Sequence, residues 1–373
     1  MNALVDTRDA YRNVTGLGRI VRNYVAHLQA LCDADPASHH YTFLPSATPN
    51  RSPYSRKSLL RRVQNFGAAI TWKQISLPLA IMRYQPDVIF HTDYVATIAT
   101  SRPIVLLACD TLFIDFPQFD PFRSLYYKVL APYSARKARK IITISHYSKA
   151  SIVRAYGISE ENVVVAYPGV DDVFWQPVSN ADVERLKSKY NLPDRFILFV
   201  GAVEEGRRNL PGLLRVFAQI APRIEHKLVI VGALGHTSHT ILSLVSALGL
   251  DNAVKIVGFV PDEDLQLFYR GADIFLYLSL AEGFGMTPLE AMACGCPVVC
   301  SNLTSLPEVV GDAGILVDPR QEEDVAEKIQ HLLADSSLQS QLRKLGRERA
   351  KIFSWKEATK CIHATLEEAT SGA

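Results

Sequence analysis

Along the chain, short runs of β-branched and other apolar residues alternate with longer stretches in which apolar positions recur at helical spacing. This is the pattern of strand–helix–strand units, in which a parallel sheet is covered by helices. In the first half the strand candidates are Ala3–Asp6, Tyr41–Leu44, Asp87–His91, Ile104–Ala108, Lys140–Ser145 and Val163–Tyr167. In the second half they are Phe196–Val200, Lys227–Val231, Val254–Val257, Ile274–Leu278, Pro297–Cys300 and Ile315–Val317. Between the two series, Tyr167-Pro168-Gly169-Val170-Asp171-Asp172 supplies a turn dipeptide followed by acids, the composition of a linker. The pattern therefore predicts two doubly wound α/β domains, 1–172 and 173–353. A further helical stretch, 354–373, has an apolar face that leaves its packing partner open, the N-terminal domain being one choice.

Length agrees, because 373 residues exceed the roughly 250–300 at which one core stops growing. An apolar fraction of 48% and a charged fraction of 21% are ordinary for globular chains. Six scattered cysteines form neither a disulfide framework nor a zinc pattern, and Cys294-Gly295-Cys296 reads as buried packing. No window approaches ~18 uninterrupted apolar residues, and the N-terminus lacks the basic-then-apolar pattern of a secretory signal. These features predict a cytoplasmic protein, with attachment to the membrane's cytoplasmic face as an option.

Net charge is +2, but it is unevenly placed. Residues 1–172 hold 20 Lys+Arg against 13 Asp+Glu, and 173–373 hold 20 against 25. Within the basic half, Arg56-Lys57 and Arg61-Arg62 accompany Leu59, Val63, Phe66 and Ile70 at helical spacing. Such a helix suits an anionic lipid surface, and equally an ordinary solvated face. Nothing points to nucleic acid as a partner.

Open α/β sheets bind ligands beyond the carboxyl ends of their strands, so the loops after strands are where chemistry belongs. The richest is Glu282-Gly283-Phe284-Gly285-Met286-Thr287-Pro288-Leu289-Glu290, between the strand at 274 and a helix. Thr287 is expected as N-cap, Pro288 as the first helical residue and Glu290 as the capping-box acid. A glycine loop leading into a helix offers free amides and a positive dipole end, which suits a phosphate. Taken singly, Glu290 reads as a cap and Glu282 as a loop acid.

After another strand, Gly201-Ala202-Val203-Glu204-Glu205-Gly206-Arg207-Arg208-Asn209 places two guanidinium groups before a helix, where they can neutralise charge on a departing diphosphate. Val14-Thr15-Gly16-Leu17-Gly18 opens a helix after the first strand, and Cys109-Asp110 ends a buried one. His91 reads as a core histidine. Asp262-Glu263-Asp264 has the form of a metal-binding Asp-x-Asp, but its place after Pro261 and before Leu265, Phe268 and Tyr269 predicts the acidic first turn of a helix.

Glu282 and Glu290, with seven residues between them and Gly-Phe-Gly after the first, resemble the Glu-x7-Glu element of retaining GT-B glycosyltransferases, most closely glycosyltransferase family 4. Gly295 to Ser301 and Leu306 to Gly311 resemble it too, as does Glu205 to Asn209, with Arg208 where the family has lysine. The resemblance implies the GT-B fold, two Rossmann-like domains facing a cleft, with the acceptor held by the first and a nucleotide sugar by the second. It gives Glu282 the transferred sugar, Glu290 the ribose hydroxyls, and Arg207 and Arg208 the diphosphate. Gly283, Phe284, Gly285, Met286 and Thr287 line the donor, and Gly16 and Gly18 close over its phosphates.

The family's His-Asp pair here reads Cys109-Asp110, so either Asp110 takes the polar role or the histidine's function is dispensable in this chain. No metal site and no cofactor is implied, since the nucleotide sugar is a co-substrate. The expected reaction is transfer of a hexose, mannose from GDP-mannose, to a polysaccharide or lipid-linked acceptor. Rival readings are a sugar-nucleotide epimerase of the same fold and a non-catalytic nucleotide-sugar binder. A nicotinamide dehydrogenase is disfavoured for want of a Gly-x-Gly-x-x-Gly after a strand with an acid about 20 residues on.

Overall fold

The computed structural model describes residues 1–8, 16–35, 39–44, 67–115 and 121–371, with the side chains of 115 and 121–124 left aside. The basic amphipathic segment 56–66 and the residues just before Gly16 lie outside the described residues.

Each of the twelve apolar runs forms a strand. In chain order these are β1 (Asn2–Asp6), β2 (His40–Leu44), β3 (Val88–His91), β4 (Ile104–Leu107), β5 (Lys140–Thr143) and β6 (Val163–Val165). They continue as β7 (Phe196–Val200), β8 (Lys227–Val231), β9 (Val254–Gly258), β10 (Ile274–Tyr277), β11 (Val298–Ser301) and β12 (Ile315–Val317). They make two six-stranded sheets, β2-β1-β3-β4-β5-β6 and β12-β11-β10-β7-β8-β9, and every pairing is parallel. Strand β7, Phe196-Ile197-Leu198-Phe199-Val200, is buried at every position, the mark of a parallel strand covered on both faces.

The chain forms two compact units, Met1–Gly169 with Ser354–Ala373, and Val170–Phe353. In the first unit, helix α1 (Gly16–Ala34) and helix α2 (Leu77–Tyr84) cover the sheet, and a π-helical turn over Trp72–Ser76 leads into α2. In the second, helix α3 (Leu210–Ile220) follows β7 and helix α4 (Met286–Ala293) follows β10. Helix α5 (Trp355–Thr370) belongs to the first unit, where it packs on α1 and against β3, β4 and β5. Sequence left its partner open because its apolar face fits many surfaces.

The point where the chain leaves the first unit is tightly built. A Cβ on Gly169 would lie 2.2 Å from the backbone nitrogen of Trp355, so only glycine lets the outgoing and returning segments touch. Trp355 meets Tyr24 edge-on at 5.6 Å, and the Tyr24 hydroxyl donates to the carbonyl of Ala166 (2.8 Å).

Candidate active site

In the second sheet the direction of winding reverses between β7 and β10, which are hydrogen-bonded neighbours. At such a switch point the loops after the two strands part and leave a crevice at the strands' carboxyl ends. The loops that diverge here carry Arg207 and Arg208 after β7, and Glu282 after β10.

The β7 loop turns sharply. A Cβ on Gly232 would fall 1.8 Å from the carbonyl oxygen of Gly201, so the ends of β7 and β8 meet backbone to backbone, and Gly232 has φ +154°. Helix α3 is then capped by Asn209, which adopts the left-handed conformation (φ 53°) and accepts from the amide of Gly212 (3.3 Å). Asparagine tolerates that region better than other side-chain-bearing residues, which accounts for its place after the arginine pair.

The two loops are sewn together by main-chain bonds. The carbonyl of Arg207 accepts from the amide of Leu280 (2.7 Å) and the hydroxyl of Ser279 (2.9 Å). In return, Arg207 Nη1 donates to the carbonyl of Ala281 (2.9 Å) and pairs with Glu282 Oε2. Glu282 Oε1 accepts from the Tyr277 hydroxyl (2.7 Å), and the Ser279 hydroxyl, 3.0 Å away, shares its one proton between this oxygen and the Arg207 carbonyl. Burial works against charge on Glu282, but Arg207, Arg208 and the Tyr277 hydroxyl outweigh it, and the carboxyl lies below the usual range. It is a buried anion held ready.

From the β11 side, Thr304, itself left-handed at φ 58°, accepts from the Glu282 amide (3.0 Å) through its hydroxyl. The Ser305 hydroxyl lies within hydrogen-bond distance of the carbonyls of Glu282 (2.8 Å) and Phe284 (2.7 Å) and shares its one proton between them. Phe284 is buried edge-on against Phe353 at 5.6 Å. Gly285 follows with φ +126° and turns the chain into α4, whose first residues, Met286 and Thr287, are partly exposed.

Helix α4 therefore begins two residues before the sequence suggests. Thr287 lies inside the helix, Gly285 occupies the N-cap position without any side-chain cap, and Glu290 falls five residues past the cap instead of the three a capping box needs. Glycine prevails because the positive φ that redirects the loop is open to it at little cost. Glu290 is instead 2% exposed and accepts from the Tyr269 hydroxyl (3.1 Å).

Nearby, Arg208 Nε is buried with no hydrogen-bond partner among the described residues, a donor still to be satisfied. Asp264 of the Asp-x-Asp stretch sits in a helical first turn and accepts from Lys189 (2.7 Å) and Tyr190 (2.5 Å). Those bonds tie it to a neighbouring helix. Cys294 and Cys296 are buried in packing, and burial pushes the Cys296 thiol up to about 12.

In the first unit Gly16 opens α1, and Gly18 is buried in its first turn. Asp110 accepts from the amide of Leu112 (3.0 Å) and the hydroxyl of Tyr94 (3.4 Å). Burial, then Asp110, pushes the Cys109 thiol far up, so it stays protonated and cannot take over imidazole chemistry.

A charged cluster that sequence reading missed lies at this sheet's own switch point, beyond β1 and β3. Lys73 is buried between Asp6 (3.5 Å) and Asp93 (3.2 Å) and donates to the carbonyl of Val95 (2.7 Å). Asp6 also accepts from the indole of Trp72 (3.0 Å). Burial opposes its charge, but Lys73, His91 and Trp72 together bring Asp6 far below the usual carboxylate range. His91 is fully buried; its Nε2 accepts from the Thr97 amide (3.3 Å), which leaves Nδ1–H toward Asp6 (3.6 Å). Burial lowers its pKa, so the imidazole is neutral. The π-turn presents Trp72, Lys73 and Gln74 consecutively to this end of the sheet, and Gln74 bonds the carbonyl of Ala96 (3.2 Å).

Two family models match the chain. The model for Glycosyltransferase Family 4 matches residues 14–174, and that for Glycosyl transferases group 1 matches 181–349. The chain belongs to this glycosyltransferase family, group 1 and family 4, and its fold is GT-B.

Among curated relatives, O-antigen chain mannosyltransferase B of Escherichia coli is 36% identical over 230 residues, 61% of this chain and 60% of the relative. Serotype-specific mannosyltransferase WbdA of Escherichia coli is 27% identical over 318 residues, 79% of this chain and 38% of the relative. The chain thus spans less than two thirds of the length of either. Anabaena Alr3699/HepE in complex with UDP-glucose aligns with TM-score 0.73 at 20% identity, over 98% of this chain and 99% of that one, and shows the shared fold.

Proposed function

We propose that the protein is a retaining, metal-independent hexosyltransferase that moves mannose from GDP-mannose to a polysaccharide or lipid-linked acceptor. The observation that carries this reading is the buried Glu282 carboxylate joined to Arg207 where β7 and β10 diverge. Membership of the family and the mannosyltransferase relatives support the sugar; a neighbour whose structure holds UDP-glucose supports a nucleotide-sugar donor.

In this reading the diphosphate leaves against Arg207, Arg208 and the amides at the start of α4. Fixed donors of this kind stabilise developing charge without reorganising. Glu282 steadies positive charge on the departing sugar, and Glu290 accepts from ribose hydroxyls once it leaves Tyr269. Gly16 and Gly18 serve the donor phosphates, and Asp110 the acceptor. The basic segment 56–66 holds the protein to an anionic leaflet, where a lipid-linked acceptor would be found.

The test is incubation of the full chain with GDP-mannose or UDP-glucose, with and without an oligomannose acceptor, in the presence and absence of EDTA. The expected result is acceptor-dependent transfer from GDP-mannose, an α-linked product and rates unchanged by chelation. Isomerised donor without acceptor, or complete loss with EDTA, overturns the proposal.

A further inference from the structure

At the opposite edge of the first sheet, where β2 begins, three metal-ligating side chains converge. His363 and Glu367 are four residues apart on α5 and so share a helix face. His39 precedes β2, and its carbonyl is held by the Cys32 thiol (3.2 Å). His363 Nε2 lies 3.5 Å from Glu367 Oε1, and His39 Nδ1 lies 3.9 Å from the same oxygen. One ligand atom from each residue can be chosen so that all lie within 4.8 Å of one another.

An ion with bonds of about 2.0–2.1 Å in tetrahedral geometry holds its donors about 3.3–3.5 Å apart. The two separations from Glu367 are within about 0.6 Å of this, and all three ligand atoms already lie within 4.8 Å of one another. Two further observations favour a ligand here. His39 Nδ1 is buried and makes no hydrogen bond among the described residues, although it points to the group. His363 Nδ1 is 2.5 Å from the Tyr41 hydroxyl; when Nδ1 carries the proton, the Nε2 lone pair faces Glu367. A ligating histidine is commonly oriented by such an outer partner. Glu367 also borders an open cleft with Met1, Asp87 and Arg102, through which water could reach a fourth position.

We propose that His39, His363 and Glu367 bind one divalent ion of the zinc class, which fastens the returning helix α5 to the edge strand β2. The site is structural. It lies at the start of β2, away from the strand ends where unit 1 carries its charged cluster, and it takes no part in transfer.

The experiment uses tag-free full chain stripped with EDTA, titrated with Zn2+ against a chromophoric chelator, with thermal unfolding read in parallel. Expected is one Zn2+ per chain and a higher unfolding temperature with the ion. Tyr41→Phe should weaken binding about 10- to 100-fold while the fold is kept. His39→Ala with His363→Ala should abolish it, circular dichroism confirming the fold, and Glu367→Gln should weaken it. Turnover at low temperature should not change on stripping. Retention of Zn2+ by the double histidine variant equal to that of the unaltered chain overturns the proposal, as does no Zn2+ held by either. If stripping abolishes turnover with the fold intact, the ion is not structural and the metal-independent mechanism fails instead.

Discussion

Glu282 and Glu290 are both buried acids eight positions apart, yet their surroundings differ in kind. The first is ion-paired and faces two hydroxyls, whereas the second is bonded by Tyr269. We expect Glu282→Gln to cut kcat at least about 100-fold with nucleotide binding kept, the size seen when one electrostatic stabiliser is lost. Glu290→Gln should mainly weaken binding of the nucleoside diphosphate, read as a smaller thermal shift. Similar, near-normal kinetics in both would remove the assignment.

Lys73 is the other residue whose removal should be felt. Lys73→Met leaves Asp6 and Asp93 buried without their counter-charge, and breaking such a pair costs about 3–5 kcal/mol, measurable by urea unfolding. The sign with pH follows from linkage. A depressed carboxyl such as Asp6 contributes stability fully present above its unfolded value, about 3.9, and lost as pH falls through the folded one. Without Lys73 the folded value rises, so acid unfolding should begin at higher pH. An unchanged acid midpoint by near-UV circular dichroism would contradict this.

Among the elements, the approach of the β7 and β8 ends is the tightest contact that positions the arginine loop. In Gly232→Ala the new Cβ would meet the Gly201 carbonyl at 1.8 Å, and backbone cannot yield as a flexible side chain does. We expect a lower unfolding temperature, a loss of about 3 kcal/mol or more, since strain at an unfavourable φ adds about 1–3 kcal/mol to the clash. Unaltered stability would show that the loop relaxes freely.

The strands were legible at this scale because both faces of each sheet are covered, so apolar runs are continuous and little else in the chain resembles them. The start of α4 was not. Cap preference favours Thr287, but Gly285 at φ +126° turns the loop first, and propensity yields to a backbone route that only a glycine takes readily.

For the whole molecule, charge asymmetry argues for a basic first half, and no helix among the described residues is long and apolar enough to cross a membrane. The proposal of surface attachment predicts that the protein sediments with anionic vesicles at low salt and is released at high salt, since screening shortens the reach of its charges. Equal sedimentation with neutral vesicles would refute it.

Two kinds of information separate at this scale. Local pattern and spacing alone determined the strand–helix alternation, the Arg207-Arg208 pair and the Glu282–Glu290 spacing, since each is a property of neighbours along one chain. Tertiary structure alone decided that Glu282 pairs with Arg207 across the β7/β10 switch point, that Lys73 lies between Asp6 and Asp93, and that α5 returns to β2 with His363 and Glu367 beside His39. Those contacts join residues from separate segments, and electrostatic and coordination forces depend on distance in space, to which separation along the chain is no guide.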